Sequence, residues 1–144
     1  MIGVLIVTHG ALAEELLSAA GRVAGCPPRE MRALALDWTV GLEEARRRIC
    51  GAIEALDTGS GVLVLTDMYG ATPSNAALSC RRPGHVELIA GVNLPMVVRL
   101  ACTSREKQSL AQVARWLEVK GRRSIRRADA AEGDGGAAGE QEGD

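Results

Sequence analysis

Residues 1–17 read MIGVLIVTHGALAEELL, and this stretch decides the fold class. Its residues 2–7 form a continuous apolar run rich in β-branched side chains, which is typical of a strand buried on both faces. From 11 to 24 the apolar residues follow the helical period instead. A strand that leads directly into a helix predicts an α/β protein. One of only two histidines in the chain, His9, lies at the junction.

The alternation of strand and helix continues along the chain. Further strands are predicted at 31–36, 62–66 and 86–90; further helices are predicted at 42–56, near 74–80, after Pro95, and from a capping-box pattern at Thr103-x-x-Glu106 through Val119. Parallel strands joined by helices form a layered sheet with right-handed crossovers. We therefore predict a doubly wound, mostly parallel four-stranded sheet with the strand order 2-1-3-4.

The last part of the chain differs in composition. Residues 122–127 read RRSIRR, which fits either a short edge strand or a basic extension. Residues 128–144 are mainly Ala, Gly, Asp and Glu, so they have too little to bury to offset the entropy of ordering. We predict one domain at 1–127 and a disordered, acidic, Gly/Ala-rich tail at 128–144.

Composition argues against several classes of function. The 17 basic and 18 acidic residues nearly cancel, so neither a nucleic acid nor a membrane surface is predicted as a partner. The chain has no Phe, one Tyr and two Trp, which is too few for a platform that stacks single-stranded bases. The apolar runs are too short to span a bilayer, and a cytoplasmic protein is predicted.

The four cysteines are predicted to be reduced. Cys26, Cys50, Cys80 and Cys102 are widely spaced and form no CxxC pair, which argues against a zinc or redox site. Since the first residues do not read as a secretory signal, we expect free thiols that fill the core. Neither a metal ion nor a cofactor is predicted.

The predicted topology brings two polar residues together. In the order 2-1-3-4 the winding reverses between strands one and three, and sheets of this kind bind ligands at that point. His9 ends the first strand and Asp67 follows the third. We therefore expect the two side chains to face each other across one crevice, although 58 positions separate them.

The residue types at this crevice favour phosphoryl transfer. A carboxylate that accepts one imidazole N–H fixes the tautomer and makes the other ring nitrogen more basic. The segment 68–74 reads MYGATPS, and such a turn before a helix offers backbone N–H groups to an anion. The combination predicts a phosphohistidine site with His9 and Asp67 as catalytic residues. The residues expected to bind the phosphate are Thr8, Gly10, Gly70, Ala71, Thr72 and Ser74.

Each of these residues also has a structural interpretation. A histidine at the end of a strand is usually a packed residue, and Asp67 could simply cap the next turn. His85 reads as a surface residue, and the arginines at 46–48 read as a solvated helix face rather than a docking patch for an acidic partner. The functional interpretation depends on His9, Asp67 and the turn meeting at one place in the fold.

Three motifs in order resemble one family. Residues 7–25, VTHGALAEELLSAAGRVAG, resemble the phosphohistidine segment of the IIA components of the mannose-family sugar phosphotransferase system. LTDMYGATPSNAAL (65–78) resembles their second motif, an Asp before a Gly-Gly-Ser-Pro turn, and VELIAGVNLPMVV (86–98) resembles their third. Ala71 stands for the second Gly and Thr72 for the Ser. Alanine suits this turn only if φ is negative there.

The resemblance implies a function and partners. His9 would accept a phosphoryl group from the histidine-containing phosphocarrier protein and pass it to a IIB component, in sugar uptake or its regulation. Asp67 would orient the histidine. The family forms homodimers that exchange a C-terminal strand, which would become a fifth edge strand and would give 122–127 a role. Contact with a membrane would occur only through transporter partners.

Other functions share part of the pattern. The phosphotransfer domain of a phosphoenolpyruvate-dependent dihydroxyacetone kinase has the same fold and motifs, and both functions stay open at this point. A metal-inserting chelatase also ends its first strand in His-Gly, but it needs further ligands, and His85 precedes a strand. Histidine phosphatases and mutases place an Arg before that His, where this chain has Thr8. A non-catalytic interaction module is the remaining alternative.

Overall fold

Four parallel strands form one sheet in the order β2-β1-β3-β4, as predicted. The computed structural model describes residues 1–129. The strands are β1 (Gly3–His9), β2 (Met31–Leu36), β3 (Val62–Thr66) and β4 (Val86–Ala90). The helices are α1 (Leu12–Ala24), α2 (Leu42–Leu56), α3 (Thr72–Ser79), α4 (Leu94–Cys102) and α5 (Leu110–Arg123).

Two apolar layers flank the sheet because successive side chains of a strand point to opposite faces. On β1, Val4 and Ile6 pack with α1, α4 and α5, whereas Leu5 and Val7 pack with α2 and α3. All four side chains are fully buried. The continuous apolar run at the start of the chain is therefore a central strand covered on both faces, as the sequence predicts.

The last helix begins later than predicted. Ser109 caps α5, since its Oγ accepts the N–H of Gln112 at 3.2 Å and the side chain of Gln112 accepts the N–H of Ser109 at 2.9 Å. The predicted capping box at Thr103-x-x-Glu106 is wrong, because Thr103 ends α4 and Glu106 lies in the loop that follows. The helix also continues past Val119 to its end four residues later.

Arg105, in that loop, links three parts of the chain. Its side chain is buried and donates to the carbonyl oxygens of Ile2 at 3.1 Å, Leu100 at 2.7 Å and Arg29 at 2.8 Å. Burial lowers the pKa of Arg105, and the charge of Glu30 opposes this shift. The guanidinium thus joins the start of β1, the end of α4 and the connection before β2.

The segment 122–127 forms no strand in the single chain. Arg122 and Arg123 belong to α5, and residues 124–129 have neither helical nor strand structure. An exchanged strand in a dimer stays a prediction, and these helical residues would have to unwind or lie outside it. Of the predicted tail, residues 130–144 lie outside the described residues.

The cysteines differ from the prediction. Cys50 of α2 and Cys80, directly after α3, form a disulfide with their Cα atoms 5.9 Å apart. Cys26 and Cys102 are free but exposed, so they do not fill the core. The sequence pattern misses the pair because its thiols are 30 positions apart and meet only when α2 packs on α3.

We expect alkylation of the unreduced, unfolded chain to modify Cys26 and Cys102 alone, and alkylation after reduction to modify all four cysteines. Because the bond closes a long loop, Cys50→Ser should lower the free energy of unfolding by roughly 3–4 kcal/mol. Cys26→Ser is the control and should leave it unchanged. Intact mass and denaturant titration measure these effects, and four modified cysteines without reduction would contradict the bond.

Candidate functional site

The carboxyl ends of β1 and β3 lie side by side at one edge of the sheet. The pairing places Val7 opposite Thr66, so His9 and Asp67 follow at neighbouring positions. Because β2 pairs with the other side of β1, the winding of the sheet reverses here. The predicted switch point between strands one and three is confirmed.

His9 and Asp67 are in direct contact. Nδ1 of His9 lies 2.8 Å from Oδ2 of Asp67, and the same oxygen accepts the backbone N–H of His9 at 3.1 Å. The other carboxylate oxygen accepts the backbone N–H of Met68 at 3.0 Å. The side chains of His9 and Asp67 are 22% and 15% exposed, so both are held in place and still reachable. The backbone thus fixes the carboxylate that holds the imidazole.

This contact assigns different roles to the two ring nitrogens of His9. A carboxylate accepts hydrogen bonds and has none to donate, so the proton of the neutral imidazole lies on Nδ1. The lone pair is then on Nε2. An imidazole in this state can act through Nε2 as a nucleophile, a base or a ligand.

Trp38 is a site residue that the sequence analysis missed. Its indole stacks on the imidazole of His9, with ring centroids 5.1 Å apart and an angle of 17° between the planes. Gly10 makes room for it, since a Cβ there would lie 3.3 Å from the indole nitrogen, and the φ of +56° also favours glycine. The strand order could have indicated this contact. Trp38 follows β2, which lies beside β1, and Leu36 of β2 pairs with His9.

The turn before α3 uses some of the groups that were predicted to bind phosphate. Gly70, with a φ of +86°, donates its N–H to Oγ of Ser74 at 2.8 Å. The hydroxyl of Ser74 in turn donates to the carbonyl oxygen of Ala71 at 3.0 Å, and Ser74 is fully buried. The N–H of Gly70 and the hydroxyl of Ser74 therefore form hydrogen bonds within the turn. Neither group is available to bind an anion.

Other groups at the start of α3 remain available. Among residues 1–129, the backbone N–H groups of Ala71, Thr72 and Ser74 have no acceptor, and neither does the hydroxyl of Thr72. This is the usual state of a first helical turn, and Pro73 has no N–H to leave unpaired. Ala71 has a φ of −89°, so alanine fits where the family has glycine. The groups of Ala71 and Thr72 are partly exposed and can bind an anion, whereas Ser74 is fully buried.

The hydroxyl of Thr8 and the backbone N–H of Gly10, which were predicted to bind phosphate, already form hydrogen bonds within the protein. Thr8 is fully buried, and its Oγ1 accepts the N–H of Ala13 at 2.7 Å, which caps the first turn of α1. Gly10 donates its N–H to the carbonyl oxygen of Leu36 at 2.8 Å. Because these groups already form hydrogen bonds within the protein, we do not propose that Thr8 or Gly10 binds the phosphate.

The second histidine lies far from the first in the fold. His85 is exposed and directly precedes β4, at the amino end of the parallel sheet, whereas His9 is at the carboxyl end. Within the described part of the chain, no three His, Cys, Asp or Glu side chains are grouped to hold a metal ion. His85 is thus not the second ligand that the chelatase alternative would require. None of the helices described is long and apolar enough to cross a bilayer.

The fold and the site define a class of protein: a doubly wound α/β domain with an imidazole–carboxylate pair and a helix start with unpaired N–H groups at its switch point. Comparison with known families adds a more specific result. The family described as "PTS system fructose IIA component" (EIIA-man) matches residues 3–117. The chain belongs to this family of phosphotransferase system (PTS) IIA components, which confirms the resemblance noted in its motifs.

Individual relatives agree with this assignment. The "PTS system mannose-specific EIIAB component" of Escherichia coli (strain K12) is 31% identical over 128 residues, which are 87% of this chain but 39% of that relative. The "PTS system fructose-specific EIIA component" of Bacillus subtilis (strain 168) is 27% identical over 126 residues, 87% of this chain and 85% of the relative. This chain therefore spans well under half of the first relative's length and most of the second's.

The fold agrees with a solved structure as well. The mannose/sorbose specific IIA subunit from Enterococcus faecalis superposes with a TM-score of 0.78 at 22% identity, over 89% of this chain and 95% of that one. At this identity the comparison supports the fold alone.

Asp67→Asn tests the hydrogen bonds of the pair. Both carboxylate oxygens accept backbone N–H groups, so an amide must lose one of these bonds whichever way it is turned. We expect the variant to fold but to lose about 1–2 kcal/mol of stability, and to let the His9 proton redistribute between Nδ1 and Nε2. Nitrogen-15 NMR of the two histidines measures the tautomers, with His85 as internal control. An unchanged His9 spectrum would contradict tautomer control by Asp67.

Proposed function

We propose that this protein is a phosphocarrier that accepts a phosphoryl group on Nε2 of His9 and passes it to another protein. The observation that carries the proposal is the 2.8 Å contact between Nδ1 of His9 and Asp67. That contact leaves Nε2 as the nucleophile at the edge of the sheet where α3 begins. Membership of the IIA family supports the general class of phosphotransferase.

The proposed step conserves protons at His9. The lone pair of Nε2 attacks the phosphorus of a phosphohistidine on the donor, and the Nε2–P bond forms as the donor's P–N bond breaks. The electron pair of the broken bond stays on the donor imidazole. The proton on Nδ1 remains in its hydrogen bond, and the carboxylate of Asp67 offsets the positive charge of the phosphorylated ring. Transfer onward repeats the step with a nucleophile of the acceptor.

The start of α3 is suited to bind the negatively charged phosphoryl group that is transferred in this step. The phosphoryl oxygens are negative, and the unpaired N–H groups of Ala71 and Thr72 lie at the positive end of a helix. The hydroxyl of Thr72 adds a donor. We propose that these groups hold the phosphoryl group, and that His9 and Asp67 are the catalytic residues.

The proposed donor is the histidine-containing phosphocarrier protein and the proposed acceptor is a IIB component. The E. coli relative carries the name EIIAB, which supports a IIB acceptor. We propose a cytoplasmic location and a role in sugar uptake or its regulation. The phosphotransfer domain of a dihydroxyacetone kinase would use the same chemistry, but the matched family and both named relatives are sugar PTS components, which favours the IIA function.

Phosphorylation at His9 tests the proposal. After incubation with phosphoenolpyruvate, the first enzyme of the system and the phosphocarrier protein, intact mass should show one acid-labile phosphate. His9→Ala should abolish the label because it removes the nucleophile. His85→Ala is the matched control and should retain it, since His85 lies at the opposite end of the sheet. Label that persists on the His9 variant would overturn the assignment.

The acceptor separates the two phosphocarrier functions. A mannose-family IIB component added to the labelled protein should remove the phosphate rapidly. A dihydroxyacetone kinase with its substrate should not remove it. The reverse pattern would support the kinase function and would overturn the IIA function.

We also propose a homodimer in which residues after α5 pair with the partner's β4. β4 is an edge strand, and edge strands offer unpaired backbone groups. Beside it runs a groove of about 380 Å³ whose lining includes Leu88, Ile89 and Ile125. Ile125 is 81% exposed in the single chain, which is unusual for its size and apolar character. Burial of this side chain in an exchanged segment would account for its exposure here.

Two truncations test the exchange. A chain that ends at Ser124 keeps α5 and the hydrogen bond from Asn93 to Ser124, but it lacks Ile125 and the segment that follows. We expect sedimentation velocity to show a monomer. A chain that ends at Asp129 is the control and should remain a dimer. A dimer from the shorter chain would contradict a role of residues 125–129 in pairing.

A further inference from the structure

Trp38 is an exposed aromatic side chain placed against the proposed nucleophile. It is 78% exposed, so its burial contributes little to the stability of the core. Yet its ring lies on the imidazole of His9, and the missing side chain of Gly10 leaves the space that it occupies. A contact of this kind indicates a role at the site rather than in the core.

Stacking and hydrogen bonding restrain the imidazole in different ways. The bond to Asp67 holds one corner of the ring, at Nδ1, but a ring held at one corner can still tilt about that bond. The indole covers one face in a nearly parallel, offset arrangement, which is favourable for aromatic pairs. Tilting the imidazole would break this contact. The edge contact and the face contact together fix the plane of the ring.

The plane of the ring matters for the proposed chemistry. The lone pair of Nε2 lies in the plane of the imidazole, so the plane sets the direction from which phosphorus can be attacked. Reactions that require an aligned approach lose rate when one partner is free to rotate. We propose that Trp38 is a positioning residue for phosphoryl transfer, which holds the His9 ring in the orientation that attacks the donor. This inference rests on the proposed phosphocarrier function.

The competing explanation is that Trp38 contacts the donor protein when the donor docks. Tyr69 is a matched control for this explanation. It is also aromatic, is 74% exposed and lies in the connection after β3, at the same edge of the sheet. Within the described part of the chain, the ring of His9 stacks on Trp38 and not on Tyr69. A docking role would show in the affinity for the donor, whereas positioning would show in the rate at saturating donor.

The test uses Trp38→Ala, Trp38→Phe and Tyr69→Ala in the full chain, with two measurements. The first is proton NMR of the imidazole rings. The ring current of the indole should shift the His9 signals, and Trp38→Ala should remove this shift while the His85 signals stay in place. Tyr69→Ala should leave the signals of both histidines unchanged. This measurement requires no phosphoryl donor, and unmoved His85 signals show that the change is confined to the surroundings of His9.

The second measurement is the rate of phosphoryl transfer from the phosphorylated donor as a function of donor concentration. Trp38→Ala should lower kcat roughly 2–10-fold, the change in population that corresponds to the energy of one aromatic pair. Trp38→Phe keeps a stacking ring and should restore most of kcat. Tyr69→Ala should leave kcat unchanged.

Several results would overturn the inference. His9 signals that do not move in Trp38→Ala would mean that the rings are not stacked. Signals that move while kcat stays unchanged would exclude a positioning role, and a raised KM alone would make Trp38 a docking residue. A wild-type chain that takes up no phosphate would overturn the proposed function and the transfer role of Trp38 with it, whereas the ring-current shift would still report the stack.

Discussion

The hydrogen bond between Nδ1 of His9 and Oδ2 of Asp67 is the interaction on which the site depends. It exists because β1 and β3 are paired in parallel and end at the same edge. The carboxylate is itself fixed by two backbone N–H groups, those of His9 and Met68. The site therefore requires no flexible element to bring the pair together, since the register of two buried strands already does so.

The sequence predicts the features that follow from periodicity and topology. The apolar run at 2–7 and the strands at 62–66 and 86–90 predict the sheet, and the strand order then brings His9 to Asp67. Side-chain roles within the turn are harder to predict, because hydroxyl residues that bind anions also bond to nearby backbone. Ser74 illustrates this, since its hydroxyl closes the turn before α3.

The features that the sequence did not reveal depend on packing. Cys50 and Cys80 meet only when α2 lies on α3, and Trp38 reaches His9 only because the carboxyl end of β2 lies beside β1. The prediction of a capping box at Thr103 was wrong for a different reason. Two segments match its pattern, and only the one at Ser109 precedes a residue that packs in the core, Leu110. For the disulfide and the stacked rings, the missing information is which distant segment a residue contacts. For the capping box, it is which of the two segments begins a helix that packs in the core.

The most direct test of the account is the position of the phosphate on the histidine ring. Phosphorus–proton correlation NMR of the phosphorylated, full-length chain distinguishes a phosphate on Nε2 from one on Nδ1. Because Nδ1 of His9 is held by Asp67, the account predicts a single phosphoryl group on Nε2 of His9. A phosphate on Nδ1, or on any other residue, would contradict it.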